Sequence, residues 1–434
     1  MSTTLKPDAS LAMDRDASLR LIKWFSIDTV RAAKILVVGA GAIGNEVLKN
    51  LALLGVGNIF IIDRDKIEIS NLSRSVLYRE SDCDQYKALV AARATRELNP
   101  SVNARSRVGD ISFDLGLGFI RRMDVVIAAL DNVRARHELN SKCLNAGVPW
   151  IDAGIDVLDG QVCVYSPLHG ACYACYFSEE RYRLIEQSCR RIASRYEAED
   201  KIATTPTIAS IVAGVQVQEA LKLLRAQDWE GRALISRKFS FNGGVADAMI
   251  TNLVRRKDCN EHFTIDPETI MELKGVSAYT TTVNELLQIV EEAVGAPVTI
   301  ELNYDLAIRR KPCPTCSTGQ VLKQPVERLV REELICETCG WMPDRRTALE
   351  RTDRLDAGFI SKYPDILGEA KLIDLGIPPL EIMRFHAEQP VVKKKSGTRG
   401  KRRSSRKQNQ PLFVELTGDL SPDLGFNNSL EVVT

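Results

Sequence analysis

The chain has 434 residues, 44% hydrophobic and 26% charged, with a formal net charge of +1, which fits a globular protein of two or three domains. No 18-residue apolar run is read, so no membrane span is expected, and "MSTTLKPDASLAMDRDASLR" lacks the apolar centre of a signal peptide. A cytoplasmic setting follows as the expectation, and there the 11 cysteines point to metal or catalysis rather than disulfides.

The first elements lie in "AKILVVGAGAIGNEVLKNLALLGVGNIFIIDRD". "ILVV" is a buried strand, "GAGAIG" a turn, "IGNEVLKNLALLG" a helix closed by Gly55, and "NIFIID" a second buried strand. Gly39, Gly41 and Gly44 make G-x-G-x-x-G between strand and helix. Glycines there allow a tight turn and close backbone approach to phosphate, and the helix N-terminus favours anionic oxygens. Asp63 ends the second strand, where a carboxylate can hold ribose hydroxyls. A nucleotide site is expected.

A helix near 86–98, a strand at 102–108, the strand "MDVVIAAL" up to Asp131, a helix at 132–146 and the strand "PWIDAG" follow. This alternation predicts an α/β fold: a Rossmann-like, mostly parallel sheet with helices on both faces. "GQVCVYSP" is a further strand. "TPTIASIVAGVQVQEALKLLR" is a long helix with Ile208, Ile211, Val212, Val215 and Leu221 in register. "ALISRKFSFN" and "AMITNLV" are expected as antiparallel C-terminal strands that finish the sheet.

The connecting segments separate the possible chemistries. Asn71, Arg74 and Lys87 supply phosphate donors, and Asp131 supplies a metal-binding carboxylate beyond the C-terminal end of a strand, where open parallel sheets bind ligands. Two cations with a magnesium-binding acid suit a triphosphate better than a dinucleotide. Taken singly, Arg74 and Lys87 would pass for solvated surface charges.

Downstream, Cys313, Cys316, Cys336 and Cys339 form C-x2-C-x19-C-x2-C. Two thiolate pairs held by tight turns make a tetrahedral sulfur cage, the pattern of a structural zinc ribbon, with Gly340 allowing one turn. Before it, "TTVNELLQIVEEAVG" is a helix and "PVTIEL" a strand. The division expected is 1–262 for the nucleotide domain, 263–352 for a small α/β module with the zinc ribbon, 353–390 for a docking segment containing "LIDLGIPPLEIMRF", and 391–434 for a disordered basic linker and tail. "KKKSGTRGKRRSSRK" (393–407) holds nine basic residues and no acid, so the rest of the chain carries a net −8. This strip is expected to be a solvated linker, and nucleic acid is not an expected partner.

With these residues in view, the chain resembles the ThiF/MoeB/HesA and ubiquitin-activating enzyme family. The resemblance is carried by "GAGAIG", "IIDRDKIEISNLSR", the lysine of "DQYKA", "ALDN", "CYAC" and "TTPTIASIVAG...EALKLL", over roughly 15–262. It implies that Asp63 binds ribose, that Asn71, Arg74 and Lys87 hold phosphates, and that Asp131 binds magnesium. Asp65 and Asn132, inside the same stretches, join the nucleotide-binding set. Arg15 lies 24 residues before Gly39, about where the family places an arginine that reaches the partner subunit's ATP in a homodimer, although Arg20 competes for that role. Ser75 stands where the family often has glutamine, and the usual glycine before the lysine is replaced in "DCDQYK". Neither change removes a charged participant.

The resemblance also implies a second metal site. Cys172 and Cys175 form a C-x2-C that the family pairs with a downstream C-x2-C, and here that position reads "DCNEHF", offering Cys259 and His262. Four cysteines remain. Cys143 and Cys163 lie in apolar settings, and acids surround Cys83. Cys189 is flanked by Arg190 and Arg191, which favour its thiolate, on the crossover segment where resembling enzymes carry a thioester cysteine.

The expected function is ATP- and magnesium-dependent adenylation of the C-terminal glycine of a ubiquitin-like protein. Transfer to Cys189 and handover to a conjugating enzyme would follow. A sulfur-carrier or peptide adenylyltransferase would stop before the thioester. A nucleotide-binding scaffold would have no need of Arg74, Lys87 and Asp131 together.

Overall fold

The computed structural model describes residues 14–176, 204–225, 233–342, 348–388 and 411–419. Two sheets organise them. In β1 (Lys34–Val38), Ile35 to Val38 are all exposed by 2% or less, so the strand is covered on both faces. β2 (Asn58–Asp63), β3 (Asn103–Val108), β4 (Val125–Ala128) and β5 (Trp150–Asp156) extend the sheet in parallel. β6 (Asp159–Tyr165), β7 (Arg237–Asn242) and β8 (Asp247–Asn252) continue it antiparallel, giving the order β3-β2-β1-β4-β5-β6-β7-β8. The parallel sheet with an antiparallel C-terminal end is the one expected from sequence. Strand order reverses between β1 and β4, and a crevice opens beyond the C-terminal ends of strands at such a point.

Alternate side chains point to opposite faces. Ile35, Val37, Ile59 and Ile61 share a core with Leu48 of α1 (Ala42–Leu54) and Ala88 of α2 (Lys87–Leu98). Leu36, Val38, Phe60 and Ile62 meet Leu139 and Cys143 of α3 (Val133–Ala146).

α4 (Pro206–Leu224) corrects two expectations. By length and composition it is apolar enough to cross a bilayer, contrary to the sequence reading, yet it is a core helix on this sheet. Ile208 and Val212 are buried, and Gln216 Nε2 donates to Ala128 O (2.8 Å) and Ile151 O (3.3 Å) across the ends of β4 and β5. Ile211, expected on the buried stripe, is 40% exposed.

The second sheet runs β11-β10-β13-β14-β9, with β12 also paired to β10. Its strands are β9 (Ile270–Leu273), β10 (Val298–Arg310), β11 (Gln320–Pro325), β12 (Leu349–Leu355), β13 (Ile382–Ala387) and β14 (Leu412–Leu416). α5 (Val283–Val294) packs Leu286, Leu287 and Val290 against it. Thr282 Oγ1 accepts from Glu285 N (3.3 Å) and Glu285 Oε2 from Thr282 N (2.8 Å), a reciprocal cap written in "TTVNE".

The expected division at 352/353 and 390/391 is not the one found. β13 lies in the 353–390 segment and β14 in the 391–434 tail, yet both are inner strands of this sheet. Val414 and Leu416 are fully buried, which is why a short apolar strand so late in the chain is ordered. The basic strip lies outside the described residues.

Candidate nucleotide cleft and metal centres

The crevice beyond β1 and β4 is a cleft of about 1460 Å³. Gly39, Gly41, Asp63, Asp65, Asn71, Arg74, Lys87, Asp131 and Asn132 all line it. Three glycines shape the turn from β1 into α1 for three reasons, and two of them, Gly39 and Gly41, line the cleft. Gly39 has φ +94°, and a Cβ there would fall 2.4 Å from Ala129 O. At Gly44, inside α1, a Cβ would fall 2.1 Å from Gly39 O. Gly41 caps α1 with open space around it, so the helix N-terminus is free to meet an anion.

Asp63 ends β2 and is held by the turn it faces. Its Oδ2 accepts from Ala40 N (2.7 Å) and its Oδ1 from Asp65 N (2.7 Å). Burial pushes this carboxyl above its usual range, opposed by Lys87 and the Ala40 N–H. Lys87, first residue of α2, reaches Asp65 Oδ2 at 3.0 Å. Arg74 closes a short helical turn (Ile69–Arg74), with Nη1 on Ser70 O at 3.0 Å. Asn71 steadies the start of that turn, its Oδ1 accepting from Glu68 N (3.0 Å).

Asp131 follows β4 as an exposed carboxylate, and Asn132 Nδ2 donates to its Oδ1 at 3.2 Å. Asn132 also caps α3, accepting from Ala135 N at 2.8 Å. Sequence reasoning missed Arg136, which lines the cleft one helical turn further on. It donates to Asp152 Oδ1 (2.9 Å), Ala153 O (2.8 Å) and Leu130 O (2.5 Å), tying down the residue before Asp131. Its one signal was position: four residues after Asn132, it falls on the same helix face.

Arg15 does not reach this cleft. It donates to Leu98 O (2.8 Å) and lines a separate hollow with Leu53, Gly214 and Gln218. Cys189 lies outside the described residues.

Both metal sets assemble. Among Cys172, Cys175, Cys259 and His262 all ligand atoms lie within 4.8 Å of one another. The Cys172–Cys175 and Cys172–Cys259 sulfur pairs are each 3.7 Å apart, and Cys175 Sγ is 3.1 Å from His262 Nε2. Cys313, Cys316, Cys336 and Cys339 form the second set, with Cys313–Cys339 and Cys316–Cys336 at 3.5 Å. A tetrahedral zinc with sulfur at about 2.3 Å separates its thiolates by about 3.8 Å, so both sets are compatible with such an ion. The backbone N–H of Cys339, working against burial, pulls the Cys336 thiol down to about 6. Outside these sets, burial raises Cys143 and pushes Cys163 up to about 12. Cys83 is raised by burial first and then by Asp84, Glu80 and Asp82.

Comparison with known proteins identifies the family. SUMO-activating enzyme subunit 2 of Dictyostelium discoideum is 42% identical over 151 residues, 35% of this chain and 23% of that protein. The Mus musculus adenylyltransferase and sulfurtransferase MOCS3 is 39% identical over 146 residues, 34% of this chain and 32% of its own. The matched segment thus spans at most about a third of either relative. The sulfur carrier protein adenylyltransferase of Thermus thermophilus is 32% identical over 202 residues, 45% of this chain and 71% of that protein. Among solved structures, Escherichia coli MccB with ATP aligns over 58% of this chain and 74% of its own, with a TM-score of 0.48 at 22% identity. The ThiF family profile matches residues 13–260, more than half of the sequence, and the chain belongs to the ThiF family.

Proposed function

We propose that the chain adenylates the C-terminal carboxylate of a ubiquitin-like protein and then carries the acyl group on Cys189. The carrying observation is that the open N-terminus of α1 at Gly41, Arg74, Lys87 and Asp131 all line one cleft. ATP would lie with its ribose at Asp63 and its phosphates over Gly41. A carboxylate oxygen of the substrate attacks the α-phosphorus, the bond to the β-phosphate oxygen breaks, and pyrophosphate leaves. Lys87 and Arg74 oppose the charge that develops on those oxygens. The exposed carboxylate of Asp131 suits magnesium, a hard ion that keeps several waters and would neutralise phosphate charge. The Cys189 thiolate then attacks the acyl carbon, AMP departs, and a thioester remains for handover to a conjugating enzyme.

Zinc in either set, three thiolates with one imidazole or four thiolates, would be structural, since four protein ligands leave no open position. Metal analysis should find two zinc ions per chain, falling to one in Cys336→Ser; one ion in the unaltered chain would defeat the two-site assignment. Arg15 lies outside its own cleft, beside the 52%-exposed Leu53, which supports a homodimer in which it reaches the partner's ATP.

A second reading has support too. The Thermus sulfur carrier protein adenylyltransferase is a relative this chain covers over most of its length. On that reading the adenylate is released to sulfur chemistry without an enzyme thioester. Incubation with ATP, magnesium and a candidate carrier, run on a non-reducing gel, separates the two. A thiol-sensitive adduct lost in Cys189→Ala supports the thioester. Pyrophosphate exchange with no adduct moves the assignment to the sulfur-carrier class.

A further inference from the structure

The segment between β3 and β4 forms a wall of the nucleotide cleft at its start and receives the second sheet at its end. Gly109, Asp110 and Ile111 line the cleft. Gly109 N donates to Asp63 O at 3.2 Å, and Arg64 Nη1 to Asp110 Oδ2 at 3.1 Å. Asp114 closes this turn from below, its Oδ2 accepting from Asp110 N at 2.7 Å. There is no slack: a Cβ on Gly109 would fall 2.7 Å from the Asp114 Cβ.

The other oxygen of Asp114 accepts from Arg328 Nη2. Arg328 belongs to a turn of the second module (Val326–Arg328), 214 residues further along the chain. Its guanidinium also stands 5.1 Å from the ring centre of Phe113, which Arg134 of α3 approaches at 5.8 Å. Thus Phe113 and Asp114 join the wall beside Asp63 to the helix that follows Asp131. A second anchor fixes the contact. Leu380, in the "GIPPLEI" stretch, is fully buried in the same cluster as Ile111 and Leu115, with φ +57°. A bulky residue keeps that conformation only where its surroundings over-determine it. Gly118 N donates to its carbonyl at 2.8 Å. The docking segment expected from sequence therefore docks on the chain's own nucleotide domain.

We propose that Arg328 is a positioning residue for the nucleotide: by fixing Asp114 it holds the Gly109–Ile111 wall in place, so the zinc-ribbon module sets the affinity of the cleft. Arg328 lies outside the matched residues 13–260, so this control belongs to the part of the chain beyond the shared domain. The proposal rests on the reading of the cleft as an ATP site. Coupling carried through one packed contact of this kind is worth roughly a three- to tenfold change in affinity.

The test is direct titration of full-length protein with ATP and magnesium, without protein substrate, alongside thermal melting and pyrophosphate exchange. Arg328→Ala should weaken ATP binding about three- to tenfold and raise KM for ATP with kcat nearly unchanged. Arg328→Lys, which keeps the charge but loses the forked donor, should fall between. Asp114→Asn should lose as much as Arg328→Ala, and the double variant no more than either. Unchanged ATP affinity in Arg328→Ala, whether or not its melting temperature falls, overturns the proposal and leaves the ATP site intact. Absence of ATP binding in the unaltered chain overturns the ATP site itself, and the proposal with it.

Discussion

Arg136 shows how much of the site rests on a residue with no obvious chemistry of its own. Its partner Asp152 is 4% exposed, and burial raises that carboxyl while Arg136 opposes the rise. Removing one member of a buried pair leaves an uncompensated charge, so Arg136→Ala should lower stability by about 3–5 kcal/mol. Arg136→Ala with Asp152→Ala together should recover part of that loss in urea unfolding. A double variant no more stable than the single one would show that the pair does not act as a unit. At this scale the sequence was legible where residue type and spacing name a role. Gly39, Gly41, Asp63, Lys87 and Asp131 converge on one cleft. Cys313, Cys316, Cys336 and Cys339 fall into one tight set, while it took the family resemblance to join Cys259 and His262 to Cys172 and Cys175. Arg136 and Arg328 were not legible, because their roles depend on partners 16 and 214 residues away. Gly44 was read as a phosphate-loop residue, but it does not line the cleft and instead lets α1 approach the β1 turn.

Among the elements, the two cysteine knuckles make a natural comparison. "CPTCS" and "CETCG" place Ser317 and Gly340 at equivalent positions, with φ of +58° and +71°. Left-handed backbone costs an L-residue roughly 1–2 kcal/mol, and glycine nothing. Nothing crowds a Cβ at Gly340, so Gly340→Ala should cost about 1 kcal/mol from the backbone alone. Ser317→Gly should be neutral or stabilise by up to about 1 kcal/mol, since glycine also frees the unfolded chain. Chemical unfolding of the zinc-loaded protein measures both; a destabilised Ser317→Gly would mean the serine side chain contributes something its backbone does not reveal. The four long helices of the first domain, α1 to α4, were legible to within a residue or two because their caps and periodicity are local, whereas the short helices Ala17–Arg20, Ile27–Ala32 and Leu117–Ile120 were not read. β9, β12, β13 and β14 were not, because a strand of four to seven residues takes its meaning from the strands beside it.

For the whole molecule, the late strand β14 decides where the second module ends. It pairs antiparallel with β13 and parallel with β9, and it brings Glu415 to Arg121 and Arg122 of the first domain. Burial of Phe413, Val414 and Leu416 contributes about 1.5–3 kcal/mol each. Deleting 411–434 should therefore unfold the second sheet, seen as dye binding and rapid proteolysis beyond residue 265. A truncated chain with unchanged protection would contradict the inner position of β14. The basic strip misled the domain reading, because a charged run before a short apolar segment looks like a tail until its far end is seen to pair. The central claim is that this cleft activates a carboxylate with ATP, and carrier-dependent exchange of labelled pyrophosphate into ATP tests it most directly. The account predicts exchange that requires magnesium and a carrier ending in glycine, and that falls at least about a hundredfold in Asp131→Ala. No exchange with any such carrier, or full exchange in Asp131→Ala, would contradict it.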